Sequence, residues 1–288
     1  MSHPVPEARS ISALRSAVAA WRAAGARVGL VPTMGALHEG HLSLVRLLQT
    51  QADKVVVSIF VNPTQFAPHE DFEAYPRTEE SDMQKLASAG ADLAYLPTAR
   101  EMYPAGFSTQ VSVGGVTAPL EGVSRPQFFS GVATVVTKLL LQCGPDVAAF
   151  GEKDYQQLLT IKRFARDLDI PTEIVGGPTV READGLAMSS RNAYLSPDER
   201  VIASKMNVIL QNAGKRALHG AAPDLAEAEA ADALRVAGFD SVDYVSIADA
   251  ETLEAFGQNR IDRPARILAA ARIGKTRLID NFPVIPGA

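Results

Sequence analysis

The chain has a single cysteine, Cys143, so no intrachain disulfide can hold it and stability has to come from a packed core. One thiol in 288 residues fits a reducing compartment, and the cytoplasm is the expected location. Long apolar runs are missing too. The longest candidate, GVATVVTKLLLQC (131–143), carries Lys138 and falls short of the roughly 20 apolar residues that a membrane span needs. The N-terminal stretch MSHPVPEARSISALRSAVAAW has Glu7 and Arg15 where a secretory leader needs apolar residues, and it reads as an amphipathic helix. Positive charge is not in excess: 28 Lys and Arg stand against 33 Asp and Glu, a net charge of −5. That argues against general nucleic-acid binding, while leaving room for a locally positive site that takes an anion. No G-x-G-x-x-G dinucleotide fingerprint occurs, and no Ser-His-Asp or Cys-His pattern offers a covalent nucleophile. Internal repeats and low-complexity segments are absent as well.

Apolar residues make up 47% of the chain, enough for a sizeable core. Through the first two thirds, short β-rich runs alternate with helical patterns. The runs are 27–32, 54–61, ADLAYLP (91–97), 146–151 and TEIVGGPTV (172–180). The helical patterns lie in HLSLVRLLQTQA, RTEESDMQKLASAG, FFSGVATVVTKLLLQCG and YQQLLTIKRFARDLD. This alternation predicts an α/β fold, a Rossmann-like parallel sheet with helices on both faces, over a domain spanning 1–183. Ligands of such sheets sit at the carboxyl ends of the strands. The pattern changes near 184. SPDER (196–200) reads as a capping box with Pro197 at the first helical position. Helices follow to Gly238, and then three strand-like runs, VDYVSIADA, ARILAAARIG and TRLIDNF. A smaller C-terminal α+β domain, 184–288, is expected. AAARIGKT (269–276) imitates a phosphate-binding P-loop, but Ala269 replaces the first glycine and the residues after it read as strand.

HEGH (38–41) places two histidines three residues apart, where strand 27–32 turns through Thr33, Met34 and Gly35 into a helix. A zinc-protease helix spaces its histidines by four and adds a glutamate base, so the spacing argues against that site. A third metal ligand would have to be sought at His69 or Asp71. A helix N-terminus is an anion site, with unpaired N–H groups and the positive end of the dipole. Gly35 and Gly40 permit close approach to the backbone, and histidines there can be neutral and still donate to phosphate oxygens. LAMSSRN (186–192) offers Ser189, Ser190 and a two-point donor in Arg191, or is a plain polar linker. FGEKDYQQL (150–158) offers Lys153 as a point charge and Asp154 for a ribose hydroxyl, or is a charged strand–helix turn. FVNPTQFAPHEDFEAYPR (60–77) brings two neutral amides, Asn62 and Gln65, suited to a small hydroxylated acid.

PTMGALHEGH, VNPTQF, LEGVSRP with GVATVVTKL, FGEKDYQQL, DGLAMSSRNAYLS and RLIDN, in this order, resemble the pantoate–β-alanine ligase family of the HxGH nucleotidyltransferase superfamily. The likeness runs from about residue 8 to 283. Where the family often has Gly-His, this chain has Gln127-Phe128. The resemblance implies a ligase that joins pantoate to β-alanine, with ATP as co-substrate and Mg²⁺, through a pantoyl adenylate in pantothenate biosynthesis. It assigns ATP contacts to Met34, Gly35, Ala36, Leu37, His38, Glu39, Gly40 and His41. It adds Gly151, Glu152, Lys153, Asp154, Val180, Met188, Ser189, Ser190 and Arg191. Gln65 and Gln157 would hold pantoate or β-alanine, and His41, His38, Lys153 and Arg191 would carry the chemistry. No resident metal, nucleic acid or membrane is expected, and the assembly implied is a homodimer. Three rival readings stay open at this level. They are adenylyl transfer to a phosphorylated acceptor, a zinc hydrolase using both histidines, and a silent nucleotide-binding module.

Overall fold

The computed structural model describes residues 4–66, 72–73 and 75–287. The chain forms two compact units, Met1–Glu152 with Gln157–Pro178, and Lys153–Gln156 with Thr179–Ala288. In the first unit the order is β1 (Glu7–Ala8), α1 (Ile11–Ala23), β2 (Val28–Thr33), α2 (Glu39–Gln49), β3 (Lys54–Ile59), α3 (Glu79–Ala89) and β4 (Leu93–Tyr95). Then come the short α4 (Ala99–Met102) and α5 (Glu121–Ser124), α6 (Phe128–Cys143), β5 (Val147–Gly151), α7 (Tyr155–Asp167) and β6 (Glu173–Gly177). The first two residues of α7 group with the second unit.

The six strands form one parallel sheet in the order β1-β4-β3-β2-β5-β6. The chain winds outward from β2 to β3 and β4, then returns to place β5 on the other side of β2. That reversal makes β2/β5 the switch point, where two crossover connections leave in opposite directions and open a crevice at the carboxyl ends. Successive side chains of the central strands are all buried: Val28, Leu30, Val31, Val55, Val56, Val57, Ala148 and Ala149. Both faces are therefore covered, as the unbroken apolar runs predict. One face packs Val31, Val55, Val57 and Ala149 with Leu44 and Leu48 of α2 and Leu86 of α3.

The N-terminal stretch departs from its sequence reading. Its helix begins only at Ile11, where the Ser10 hydroxyl accepts the Ala13 N–H (3.2 Å), and Glu7–Ala8 adds a parallel edge strand against β4. Two residues are too few to leave a period-2 signature, so the strand was invisible beside a clear helical pattern.

The second unit continues with α8 (Pro197–Ala203), α9 (Lys205–Leu218), α10 (Pro223–Ala237), β7 (Ser241–Asp249), β8 (Ala265–Ile273) and β9 (Thr276–Val284). The strands make an antiparallel sheet, β7-β8-β9. Met206 and Leu210 of α9 and Ala230 and Leu234 of α10 bury against Ile247, Ile267, Ala269 and Ala271. The capping box at α8 is formed: Glu199 N–H donates to the Ser196 hydroxyl (3.2 Å) and Ser196 N–H to the Glu199 carboxylate (2.8 Å). The P-loop imitation is a hairpin turn, with Ile273 paired to Thr276 across Gly274 and Lys275. Residues 179–183 group with this unit because Arg181 bridges Ala187 and its guanidinium is ion-paired with Asp280 (2.7 Å). Among the described residues no helix is long and apolar enough to cross a membrane.

Candidate active site

The first unit builds its candidate site where β2 ends at the switch point. The Thr33 hydroxyl donates to the Ser58 carbonyl (2.8 Å) and accepts the Gly35 N–H (3.2 Å), which turns the chain out of the strand. Gly35 and Ala36 both have positive φ, +84° and +50°. For alanine this conformation is strained and persists only where surroundings impose it. The surroundings are two side chains of α3. The buried Asp82 carboxylate accepts the Ala36 N–H (2.9 Å), the Leu37 N–H (2.8 Å) and the Thr78 hydroxyl (3.1 Å). The Lys85 ammonium donates to the Leu37 carbonyl (2.7 Å). Sequence reading missed both residues. The one available signal was a carboxylate on the buried face of α3, four residues before Leu86.

The turn delivers His38 as the N-cap of α2, in extended backbone conformation. Its Nδ1 accepts the Gly40 N–H (3.1 Å), and Nδ1 of His41 accepts the His38 N–H (3.3 Å). The two rings lie 4.1 Å apart at their centroids. An Nδ1 that accepts carries no proton, so this pattern assigns the ring hydrogen of each to Nε2. Two amides expected to face an anion directly are thus taken by imidazoles. Each ring becomes an extension of the helix terminus: backbone N–H polarises Nδ1, and Nε2–H presents the donor further out. Glu39 in the same motif is exposed and ion-paired to Arg46. His69 and Asp71 lie outside the described residues. Among the described residues no three His, Cys, Asp or Glu side chains cluster as a metal site.

At the end of β3 the fully buried Asn62 commits its amide to the fold. It accepts from Thr64 N–H (3.3 Å) and the Tyr103 hydroxyl (2.8 Å), and donates to the Gly131 carbonyl (3.2 Å) and to Gln65 Oε1 (3.0 Å). Of the two amides read from NPTQF, Asn62 is the support and Gln65 the one it orients. Gly131 opens the GVATVVTKL run for a steric reason. A Cβ there would meet the Thr64 carbonyl oxygen at 2.4 Å, so only glycine lets α6 approach the turn that carries Gln65. Burial raises the Tyr103 phenol above its ordinary pKa, keeping it a neutral donor to Asn62. The Arg125 guanidinium lies 3.8 Å from the centre of the Phe128 ring and donates to the Gln65 carbonyl (3.1 Å). At this point of departure from the family, the aromatic ring stacks on an arginine that steadies the Gln65 turn. Gly151 ends β5 beside β2, Glu152 follows it, and Gln157 lies half-buried on α7.

The second unit holds the remaining residues. Lys153 is mostly covered, its ammonium 3.9 Å from Asp154, and its carbonyl accepts Asn281 Nδ2 (2.8 Å). Val180 and Met188 face each other in a short hairpin, Met188 N–H donating to the Val180 carbonyl (3.0 Å). Beyond it the Ser189 hydroxyl accepts the Arg191 N–H (3.3 Å) and caps a 3-10 turn, Ser190–Tyr194. Asn192 donates to Glu182 (2.7 Å) and to the Ala187 carbonyl (3.0 Å), and Arg200 donates to Glu182 (2.6 Å) and Asp184 (2.9 Å). The Arg200 bond, helped by Asn192, holds the Glu182 carboxyl below its usual range.

The sequence model described as pantoate–β-alanine ligase matches residues 7–283. A pantothenate synthetase of Caulobacter vibrioides is 58% identical over 277 residues, covering 96% of this chain and 97% of its own length. The crystal structure of pantothenate synthetase from Thermus thermophilus superposes with a TM-score of 0.91 at 45% identity, over 98% of this chain and 100% of that one. A pantoate–β-alanine ligase from Francisella tularensis, crystallised with β,γ-ATP and β-alanine, gives 0.81 at 36% identity, over 96% of this chain and 97% of that one.

Proposed function

Since the chain belongs to the pantoate–β-alanine ligase family, we propose that it condenses pantoate with β-alanine using ATP, releasing AMP and pyrophosphate. The pantoate carboxylate attacks the α-phosphorus, pyrophosphate departs, and the β-alanine amine then displaces AMP from the pantoyl adenylate. Two anions must meet in the first step, so the demand is for donors and cations aimed at developing charge rather than for a nucleophilic side chain. The observation that carries this reading is the histidine pair. Both Nδ1 atoms accept backbone N–H groups at the head of α2, beside the switch point, so both rings are set to donate from Nε2.

In this reading His41 donates to the departing pyrophosphate and His38 to a neighbouring phosphate oxygen. Residues 34–41 with Gly151 and Glu152 are the first unit's contribution to ATP. Lys153, Asp154, Val180, Met188, Ser189, Ser190 and Arg191 are the second unit's, and Gln65 and Gln157 hold the pantoate and β-alanine side. Mg²⁺ arrives on ATP and offsets phosphate charge. The functional division we propose is a nucleotide- and pantoate-binding unit, Met1–Glu152 with Gln157–Pro178, and a smaller unit, Lys153–Gln156 with Thr179–Ala288, a boundary slightly before the 183/184 expected from sequence. The enzyme works in the cytoplasm as a homodimer.

The test is isotopic. With ¹⁸O in the pantoate carboxylate, attack on the α-phosphorus leaves one labelled oxygen in AMP. Label in inorganic phosphate instead would mean an acyl phosphate and would sink the adenylate route. Pyrophosphate exchange into ATP that needs pantoate separates this reading from a silent nucleotide-binding module.

A further inference from the structure

RLIDN (277–281) completes the likeness to the family, yet none of its side chains has a part in the chemistry above. It lies in β9, whose Asp280 and Asn281 pair with Ala269 and Leu268 of the central strand β8. Successive strand residues point to opposite faces. Asp280 and Phe282 share one face. The Arg181 guanidinium lies across both, donating to the two Asp280 oxygens (2.7 and 2.9 Å) with its centre 4.2 Å from that of the Phe282 ring. The same guanidinium donates to the Gly185 carbonyl (3.0 Å), so it ties the Val180/Met188 hairpin at its turn as well as to the strand. Asn281 points to the other face and donates to the Lys153 carbonyl (2.8 Å). Asp280 and Asn281 are both 4% exposed.

We propose that Asp280 and Asn281 are positioning residues for ATP. One strand register fixes, through Arg181, the hairpin that leads into Met188, Ser189, Ser190 and Arg191, and through the Lys153 carbonyl, the turn that carries the Lys153 ammonium. Two phosphate-gripping segments far apart in sequence are thereby referenced to adjacent residues of one rigid element. Residues that act this way touch no substrate. They set where a cation sits, and a misplacement of about 1 Å at such a group can cost on the order of 10²-fold. The two anchors also differ in kind. Asp280 holds a two-point charged fork that lysine cannot reproduce, while Asn281 holds the Lys153 carbonyl by a neutral hydrogen bond. The proposal rests on the reading that Lys153 and residues 188–191 hold ATP.

The experiment is a double-mutant cycle on the full-length chain, read by equilibrium titration with α,β-methylene-ATP and Mg²⁺, so that no turnover is required. Asn281→Ala should weaken the nucleotide about five- to tenfold, the equivalent of one lost hydrogen bond, and leave pantoate affinity within about twofold. In a Lys153→Ala background the same substitution should change nucleotide affinity by less than about twofold, because the group it positions is gone. Arg181→Lys keeps the charge and loses the fork. It should weaken the nucleotide about fivefold, non-additively with Arg191→Ala, and it carries the cycle if Asn281→Ala fails to fold. Losses that add in both cycles, or full affinity in folded Asn281→Ala, would overturn the anchor. A wild-type chain that binds no α,β-methylene-ATP would overturn the ATP reading itself, and the anchor with it.

Discussion

The histidine turn and the Ser-Ser-Arg segment, the two stretches proposed above to grip phosphate, are held in different ways. Residues 33–41 are fixed mainly through backbone groups. Thr33 and Asp82 take the amides of Gly35, Ala36 and Leu37, Lys85 takes the Leu37 carbonyl, and the histidines take those of His38 and Gly40. Residues 188–192 have one backbone bond to the hairpin, from Met188, and otherwise lean on side chains: Asn192 donates to Glu182, and Glu182 and Asp184 accept from Arg200. A turn with five of its amides and one carbonyl bonded to side chains resists deformation. A segment that leans on the Glu182–Arg200 and Asp184–Arg200 pairs, each about one third exposed, is softer, and it responds to pH and salt.

The largest effect that tests this contrast belongs to His41. Removing one donor aimed at developing charge costs about 10²–10³ in rate, roughly 3–4 kcal/mol. His41→Ala should slow adenylate formation by that much while sparing aminolysis of preformed pantoyl adenylate, which has no pyrophosphate left to stabilise. Single-turnover kinetics on each step separate the two. Equal losses in both steps would make His41 a shaper of the turn rather than a phosphate donor.

Next in size is the support beneath it. Asp82→Ala removes the acceptor of two amides, each costing about 1–3 kcal/mol if left buried and unpaired, and frees Ala36 from its left-handed conformation. The chain should lose about 2–4 kcal/mol of stability in denaturant titration. Asp82→Asn retains one acceptor oxygen and should recover part of that loss. If Asp82→Ala were as stable as wild type, the stiffness argued for the turn would be unfounded.

These two cases also mark what the sequence could and could not disclose. The sheet and the histidine pair were legible because both are local. Periodicity gives each strand and helix within a few residues, and HEGH sits one turn after the strand that positions it. Asp82 was hidden because its partners are 46 and 45 residues away, and a helix pattern says nothing about which backbone amides its face will meet. Asn62 and Gln65 looked equivalent in NPTQF. Only the packing of α6, through Gly131, and the Tyr103 hydroxyl turn one into a support and leave the other to be oriented. The edge strand Glu7–Ala8 exists only because β4 offers it a neighbour. What sequence cannot carry, in each case, is a contact between elements.

The smallest effect concerns the compliant segment and its dependence on pH. Glu182 accepts from Arg200 and Asn192, and the Arg200 bond is the main reason its carboxyl titrates below the ordinary glutamate range. A carboxyl whose folded pKa is depressed stabilises the fold fully above its unfolded value, about 4.3, and loses that contribution as pH falls through the lower folded value. Between pH 7 and pH 5 the pair should therefore contribute a constant amount, and the loss should fall wholly below that window. With side chains 27% and 34% exposed, water and salt screen the pair, so the contribution is about 0.2–1 kcal/mol. Glu182→Gln should lower the unfolding midpoint by that margin at pH 7. It keeps one acceptor oxygen, for Asn192, and loses the charge and the oxygen that accepts from Arg200, so the gap should narrow as wild type is acidified below pH 4 and shrink in 0.5 M salt at neutral pH. A gap that stayed constant from pH 7 to pH 3 and was indifferent to salt would mean that shape rather than charge holds Glu182. The segment would then be as stiff as the histidine turn, and the contrast between the two grips would disappear.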